Sequence, residues 1–345
     1  MDKKCMTEGK EYKKILTIVI PTYNMEKYLT ECLDSVTNPI VGNTLEVIIV
    51  NDGSTDSSLA IAKQYENKRP DIIKIIDKQN GNYGSCVNAG LAQATGKYFR
   101  ILDADDWFDT QALAEFLEKL ETCETDLVLT LIAENIFQGE KMIEEKKYAF
   151  QSIQKDHIYQ ADQFLIHQNS FENEFRMHGM TYKTSILRAC KLYMLEGVSY
   201  TDNIFLFQPF SYIKDFIVFD LYLYHYRMGR EGQTMQHDIF IKRLTDIGKV
   251  VCYMFDIMDQ TPNKEPLRTN QLTLIKGALC LFLHILRFQK TIHQKDFPYI
   301  KRIIKGINKY GYQEPVLQKW YFKLWQSTES SRLLQYALTL RSLFK

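Results

Sequence analysis

The sequence has 345 residues, 45% hydrophobic and 25% charged, which is enough for one large core or for two or three units. Its formal net charge of +1 supplies no strong field to draw in nucleic acid, so nucleic acid is excluded as the expected partner. Seven scattered cysteines without a C-x-x-C pair argue against a zinc site or a disulfide framework and point to reduced thiols in the cytoplasm.

In chain order, Ile15 to Ile20 is a β-branched apolar run ended by Pro21 and predicts a first buried strand. Pro21-Thr22-Tyr23-Asn24 then turns, with Asn24 placed to cap the next helix, whose apolar face is Met25, Tyr28, Leu29, Cys32, Leu33 and Val36. Leu45 to Val50 is a second strand, ending in the polar loop Asn51-Asp52-Gly53-Ser54-Thr55-Asp56. A helix from about Ser57 to Tyr65 and a strand over Ile72 to Ile76 follow. Asn80 to Ser85 is a glycine-bearing loop that opens another helix, running to Thr95.

Tyr98 to Trp107 is the most informative stretch. A short apolar run ends in three carboxylates and an indole, Asp103-Ala104-Asp105-Asp106-Trp107. The run predicts a parallel strand covered on both faces, with its acids at the carboxyl end, where open α/β sheets bind ligands. In extended chain Asp103 and Asp105 leave on the same side. Their mutual repulsion calls for a divalent cation, and hard oxygen ligands favour Mg²⁺ or Mn²⁺.

Leu113, Phe116, Leu117 and Leu120 mark the next helix and Leu127 to Leu131 the next strand. Such alternation predicts an α/β fold with a doubly wound, largely parallel sheet. From Ala133 to Met235 the pattern loosens, although Phe205 to Phe210 reads as buried and Phe216 to Tyr226 as strand. Beyond His237 helical spacing dominates. No apolar run reaches membrane-spanning length, Leu279 to Leu286 coming nearest, and the polar amino terminus has no signal-peptide core. Trp320 to Phe344 mixes aromatics with Lys and Arg, as a helical cap or as a surface resting on anionic membrane at the inner face of the cell membrane.

Five landmarks in register, Pro21 to Asn24, Asn51 to Asp56, Asn80 to Asn88, Gly96 to Tyr98 and Asp103 to Asp106, resemble the family 2 glycosyltransferases of the GT-A fold. The resemblance divides the chain into a nucleotide-sugar-binding half of a GT-A domain (1–132), an acceptor-binding and catalytic half (133–235) and a helical region (236–345). It implies a UDP-sugar donor and an inverting transfer to a polysaccharide or lipid-linked glycan. Pro21, Thr22, Tyr23 and Asn24 are expected at the base, with Asp52 accepting from the uracil ring. Asn82, Gly84 and Asn88 are expected on the nucleotide-sugar, and Asp103 and Ala104 by the ribose. Asp105 is the implied ligand of Mn²⁺ or Mg²⁺, and His225 a candidate nitrogen ligand. Arg227 and Arg230 are expected over the diphosphate, where a guanidinium suits phosphate oxygens. Met177 to Met180 is expected to face the acceptor cleft.

Relatives carry a Glu-Asp pair ahead of a helix; here Thr201 stands where Glu is usual and Asp202 keeps the Asp, as the expected general base. Two rival readings compete. A haloacid-dehalogenase-like phosphatase shares the Asp-x-Asp strand end, but it wants Thr or Val where this chain has Trp107. A nucleotide-sugar-binding partner of a transferase, without catalysis, draws its support from Thr201.

Overall fold

The computed structural model describes residues 13–150, 153–164, 175–230, 243–262, 264–288 and 293–311. Ten strands form one sheet, in the order β3-β2-β1-β4-β9-β6-β10-β5, with β7 beside β6 and β8 beside β10. Four strands, β1 (Leu16–Thr22), β2 (Leu45–Asn51), β3 (Ile73–Asp77) and β4 (Tyr98–Ile101), pair in parallel. Their connections are the helices α1 (Leu29–Thr37), α2 (Ser58–Lys68) and α3 (Asn82–Gln93). After β5 (Trp107–Phe108), Asp109 accepts from the Ala112 amide at 2.7 Å and starts α4 (Thr110–Thr122). β6 (Leu127–Gln138) and β10 (Asp215–Met228) lie parallel to each other.

Between β4 and β6 sits a four-residue strand, β9 (Met180–Lys183), antiparallel to both. The sheet is therefore mixed at its middle. So short a strand carries too little pattern to be read from sequence. β7 (Lys141–Tyr148) and β8 (Ile158–Gln160) are added at the margin.

Strand alternation sorts the apolar residues into two cores, one on each face. Leu16, Ile18 and Ile20 of β1 join the core under α1, α2 and α4, whereas Val19 joins the other. That second core continues through α3 into the carboxyl-terminal helices α7 (Leu244–Gln260), α8 (Leu267–Phe288) and α9 (Phe297–Lys309). These helices pack on one another and on the short helix α6 (Asp202–Phe207), a contact made by α7 and α8. Burying a side chain of this size contributes about 1.5–3 kcal/mol, so the helical region helps to fix α6 and the segment before it.

Three expectations need correction. Asn24 does not cap α1, which begins at Leu29; it adopts φ of 54° and bonds to the loop after β2 instead. The carboxylate motif is not extended chain: the Asp106 amide donates to the Asp103 carbonyl at 3.0 Å, closing a turn that separates the side chains of Asp103 and Asp105. Among the described residues one helix, over Leu267–Leu286, is long and apolar enough to cross a membrane, where no run of that length was expected. Its apolar residues are interleaved with polar ones, so no contiguous run appears. Of that stretch 61% is buried in the protein, and Asn270 and Gln271 within it donate to the Phe164 carbonyl and Ser211 Oγ. Residues 320–344 lie outside the described residues.

At the amino-terminal ends of the strands, opposite the acidic turn, Glu46 ties the sheet together. Its buried carboxylate accepts from Thr17 Oγ1 at 2.6 Å, Lys74 Nζ at 2.9 Å, and the Thr95 amide and hydroxyl at 2.7 and 2.9 Å. Burial alone would raise its pKa, but these donors outweigh it and hold Glu46 below the ordinary 4.5. The contribution to stability is thus complete above that value and lost as pH falls through the lower folded one. Glu46→Gln should lower unfolding free energy by about 1.5–3 kcal/mol at pH 7. The deficit should shrink below pH 4, as denaturant unfolding at the two pH values would read.

Candidate functional site

A cleft of about 580 Å³ opens at the carboxyl ends of β1, β2 and β4. Its first wall comes from two loops latched together. Asn24 Oδ1 accepts from the Thr55 amide at 2.8 Å, the Asn24 amide donates to Ser54 Oγ at 3.0 Å, and the Met25 amide donates to Ser58 Oγ at 2.8 Å. Glu26 and Asp56 exchange bonds with the facing backbone. The polar loop read from the sequence therefore shapes its neighbour as well as the cleft. Pro21, Thr22 and Tyr23 line this wall, with Tyr23 47% exposed. Asp52 stands behind them, 2% exposed, accepting from the Gly81 amide at 2.9 Å and ion-paired with Lys78. Lys78 is also bonded to Ser85 Oγ, so the carboxylate is held in one orientation.

The acidic turn forms the floor. Asp103 accepts from Tyr83 Oη at 2.7 Å and lies 3.5 Å from His178 Nε2. Asp106 is almost wholly buried and accepts from Tyr224 Oη and the Arg227 amide, both at 2.7 Å. Burial and the neighbouring Asp105 and Asp103 push its pKa well above the carboxylate range. Asp105 forms an ion pair with Arg230, which opposes the upward push of burial on its own carboxyl.

Asp103, Asp106 and His178 each bring one ligand atom within 4.8 Å of the others. Two carboxylates and an imidazole fit a hard or borderline divalent ion such as Mg²⁺ or Mn²⁺. The residues that converge differ from the implied Asp105 and His225. His225 stacks on Trp107 at 5.3 Å and meets Asn135 Oδ1 at 3.1 Å. The reason is alternation along β10: Tyr226 lines the cleft, so His225 and Arg227 face the other way. The Arg227 guanidinium rests 3.9 Å above the Phe137 ring and pairs with Glu31, leaving Arg230 as the arginine of that segment on the cleft.

The far wall is the segment 198–202. Asp202 opens α6, and burial raises its pKa, with His178 opposing and Asp103 adding to the rise. Thr201 stands at the N-cap without a side-chain capping bond, and Asp202 is the first helical residue. Tyr200 holds φ of 67°, and neither its hydroxyl nor that of Thr201 has a partner among the described residues.

Of the residues expected at the site, Pro21, Thr22, Tyr23, Asn24, Asp52 and Asn82 line the cleft. So do Asp103, Met177, His178, Asp202 and Arg230. Ala104, Asp105, Gly84, Asn88, Arg227 and His225 do not. Sequence reasoning passed over Tyr83, Lys78 and Asp106. Tyr83 lay inside a motif already singled out, and Asp106 was the third acid of a run in which attention fell on two.

Residues 17–182 match the sequence profile described as Glycosyl transferase family 2. Over that stretch, just under half of the chain, the sequence is similar to that family. The putative glycosyltransferase EpsH of Bacillus subtilis (strain 168) is 30% identical over 221 residues, 62% of this chain and 60% of that protein. The poly(ribitol-phosphate) beta-N-acetylglucosaminyltransferase TarS of Staphylococcus aureus (strain MW2) is 26% identical over 223 residues, 64% of this chain and 36% of TarS. The chain thus spans less than two thirds of the length of either relative. The crystal structure of S. aureus TarS 1–349 superposes with a TM-score of 0.58 at 19% identity, covering 94% of this chain and 89% of that one. The same fragment with UDP-GlcNAc gives 0.55 at 18%. The fold of the chain is GT-A.

The Asp52 geometry sets a first expectation for ligand binding. Asp52→Asn should weaken UDP binding about 10- to 100-fold, the range for losing one hydrogen bond to a charged group. Lys78→Met should weaken it less, because the acceptor remains but loses its partner. Isothermal titration of UDP into the three proteins would read this, and equal affinities would remove Asp52 from the base site.

Proposed function

We propose that the protein is an inverting glycosyltransferase. It moves a sugar from a UDP-sugar to a hydroxyl of a cell-surface polysaccharide or lipid-linked glycan, with Mn²⁺ or Mg²⁺ at the diphosphate. One observation carries the reading: a single cleft is lined by Asp52, by Asp103 and His178, with which the buried Asp106 converges, and by Asp202. Support comes from the family match and from the UDP-GlcNAc and UDP complexes solved for TarS, which shares the fold.

In this reading Tyr23 and Asn24 flank the base and Asp52 accepts its ring N–H. Asp103, Asp106 and His178 would hold the cation, which supplies positive charge to the leaving diphosphate. Arg230 adds a guanidinium at the same end of the cleft. Asp202 takes the proton of the acceptor hydroxyl as that oxygen attacks the anomeric carbon from the face opposite the diphosphate. Its C–O bond to the diphosphate breaks as the new glycosidic bond forms. Thr201 leaves Asp202 as the carboxylate of its pair, so the base function rests on one residue.

Two measurements follow from these roles. With Mn²⁺, UDP should bind at least about tenfold more tightly than with EDTA, an increment of about 1.4 kcal/mol. Asp103→Asn should abolish that difference in calorimetry; its persistence would move the cation elsewhere. Asp202→Asn should abolish transfer and leave UDP affinity unchanged. For the wild type, only ionised Asp202 accepts a proton, and burial lifts its pKa above the ordinary 3.8. The rate should therefore fall as pH drops through that raised value. A flat acid limb down to pH 4 would count against Asp202.

A further inference from the structure

Gly84 and Asn88, four residues apart, share one face of α3, and that face is turned away from the cleft lining. It receives the loop that leads to Asp202. Asn88 Oδ1 accepts from the Met194 amide at 2.9 Å, and Asn88 Nδ2 donates to the Met194 carbonyl at 2.8 Å and to Glu196 Oε1 at 3.1 Å. The side chain pairs with one residue's backbone on both sides, as a neighbouring strand would. At Gly84 a Cβ would stand 2.3 Å from the Leu195 carbonyl oxygen, so the loop lies directly on the helix backbone. One turn earlier, the Gly197 amide donates to the Gly81 carbonyl at 2.9 Å.

From this geometry we propose that Asn88 is a positioning residue for Asp202. The Gly84–Asn88 face of α3 is then the seat of the base-bearing loop and not a contact for the nucleotide-sugar. The loop needs such a seat. Between Gly197 (φ 70°) and Tyr200 (φ 67°) the chain twice enters the left-handed region, once with a bulky aromatic residue. Conformations of that kind persist where surrounding contacts over-determine them. The Ser199 amide donates to Asp246 Oδ2 at 3.2 Å on α7, which fixes the loop from its other side. Without Asn88 the segment from Met194 to Gly197 loses its ladder, and Asp202 loses its position at the far wall. A displacement of about 1 Å at a reacting group costs on the order of 100-fold in rate.

The inference rests on Asp202 acting as the base, and the experiment separates the two ideas. Full-length wild type, Asn88→Ala, Gly84→Ala, Asp202→Asn and the Asn88→Ala/Asp202→Asn double variant are compared. Three readouts are taken: backbone hydrogen exchange, calorimetric titration of UDP with Mn²⁺, and UDP release from UDP-GlcNAc. In Asn88→Ala, amides 194–203 should exchange about tenfold faster while β1 and β2 keep their protection. UDP affinity should stay within twofold and turnover should fall about 100-fold. Gly84→Ala should give the same pattern by pushing the Leu195 carbonyl, and it stands in if Asn88→Ala fails to fold. Adding Asn88→Ala to Asp202→Asn should cost nothing further, whereas a general structural loss would add. Unchanged exchange over 194–203, or UDP affinity falling tenfold or more, would overturn the proposal, and neither reading depends on the donor sugar. Undiminished turnover in Asp202→Asn alone would strike the base assignment instead.

Discussion

The site depends on one buried carboxylate and the partners that hold it. Asp106 accepts from the Tyr224 hydroxyl and the Arg227 amide, and so fastens the acidic turn to β10. An unpartnered carboxylate at that depth would cost several kcal/mol, so the turn and the strand form together or not at all. Once fastened, β10 presents Tyr226 to the cleft and places Trp107, His225 and Arg227 on its opposite side. The same turn holds Asp103 beside Tyr83 and His178. Three chain segments far apart in sequence thus meet at one short turn.

Electrostatics at the floor follow from that meeting. Burial raises the proton affinity of Asp105 and Asp106, and Asp103 adds to the rise at both. Arg230 offsets part of this at Asp105. The arrangement concentrates acidic groups in a partly enclosed space. Asp52 at the base end is differently treated, with its own lysine and a backbone donor, so the two ends of the cleft have separate charge balances.

Much of the amino-terminal half was legible in the sequence because its signals are local. The apolar runs of β1, β2 and β4 are covered on both faces, and each ends in a polar loop that could be recognised by its residue types. What was not legible depended on partners distant in the chain. Asn24 reads as a cap until Thr55 is known to be opposite it, and Gly84 and Asn88 read as ligand contacts until Met194 and Leu195 arrive. Asp105, by its spacing from Asp103, and His225, by the resemblance, were the expected metal ligands. The turn at Asp103–Asp106 and the alternation of β10 redirect them, and neither bend nor facing is encoded in the motif alone. The divergent carboxyl-terminal helices gave their periodicity but not their role, which is to complete the core beneath α6.

The Glu46 knot lies at the far end of the strands from all of this chemistry. Four donors on one carboxylate bind β1, β2, β3 and the approach to β4 into a unit with every bond made. The cleft end instead contains left-handed backbone at Tyr200 and hydroxyls at Tyr200 and Thr201 that have no partner among the described residues. The two ends of one sheet therefore differ in their freedom to open. Local excursions will be confined to the cleft rim while the strand bases stay shut, so the rim can open without loosening the framework that defines the cleft.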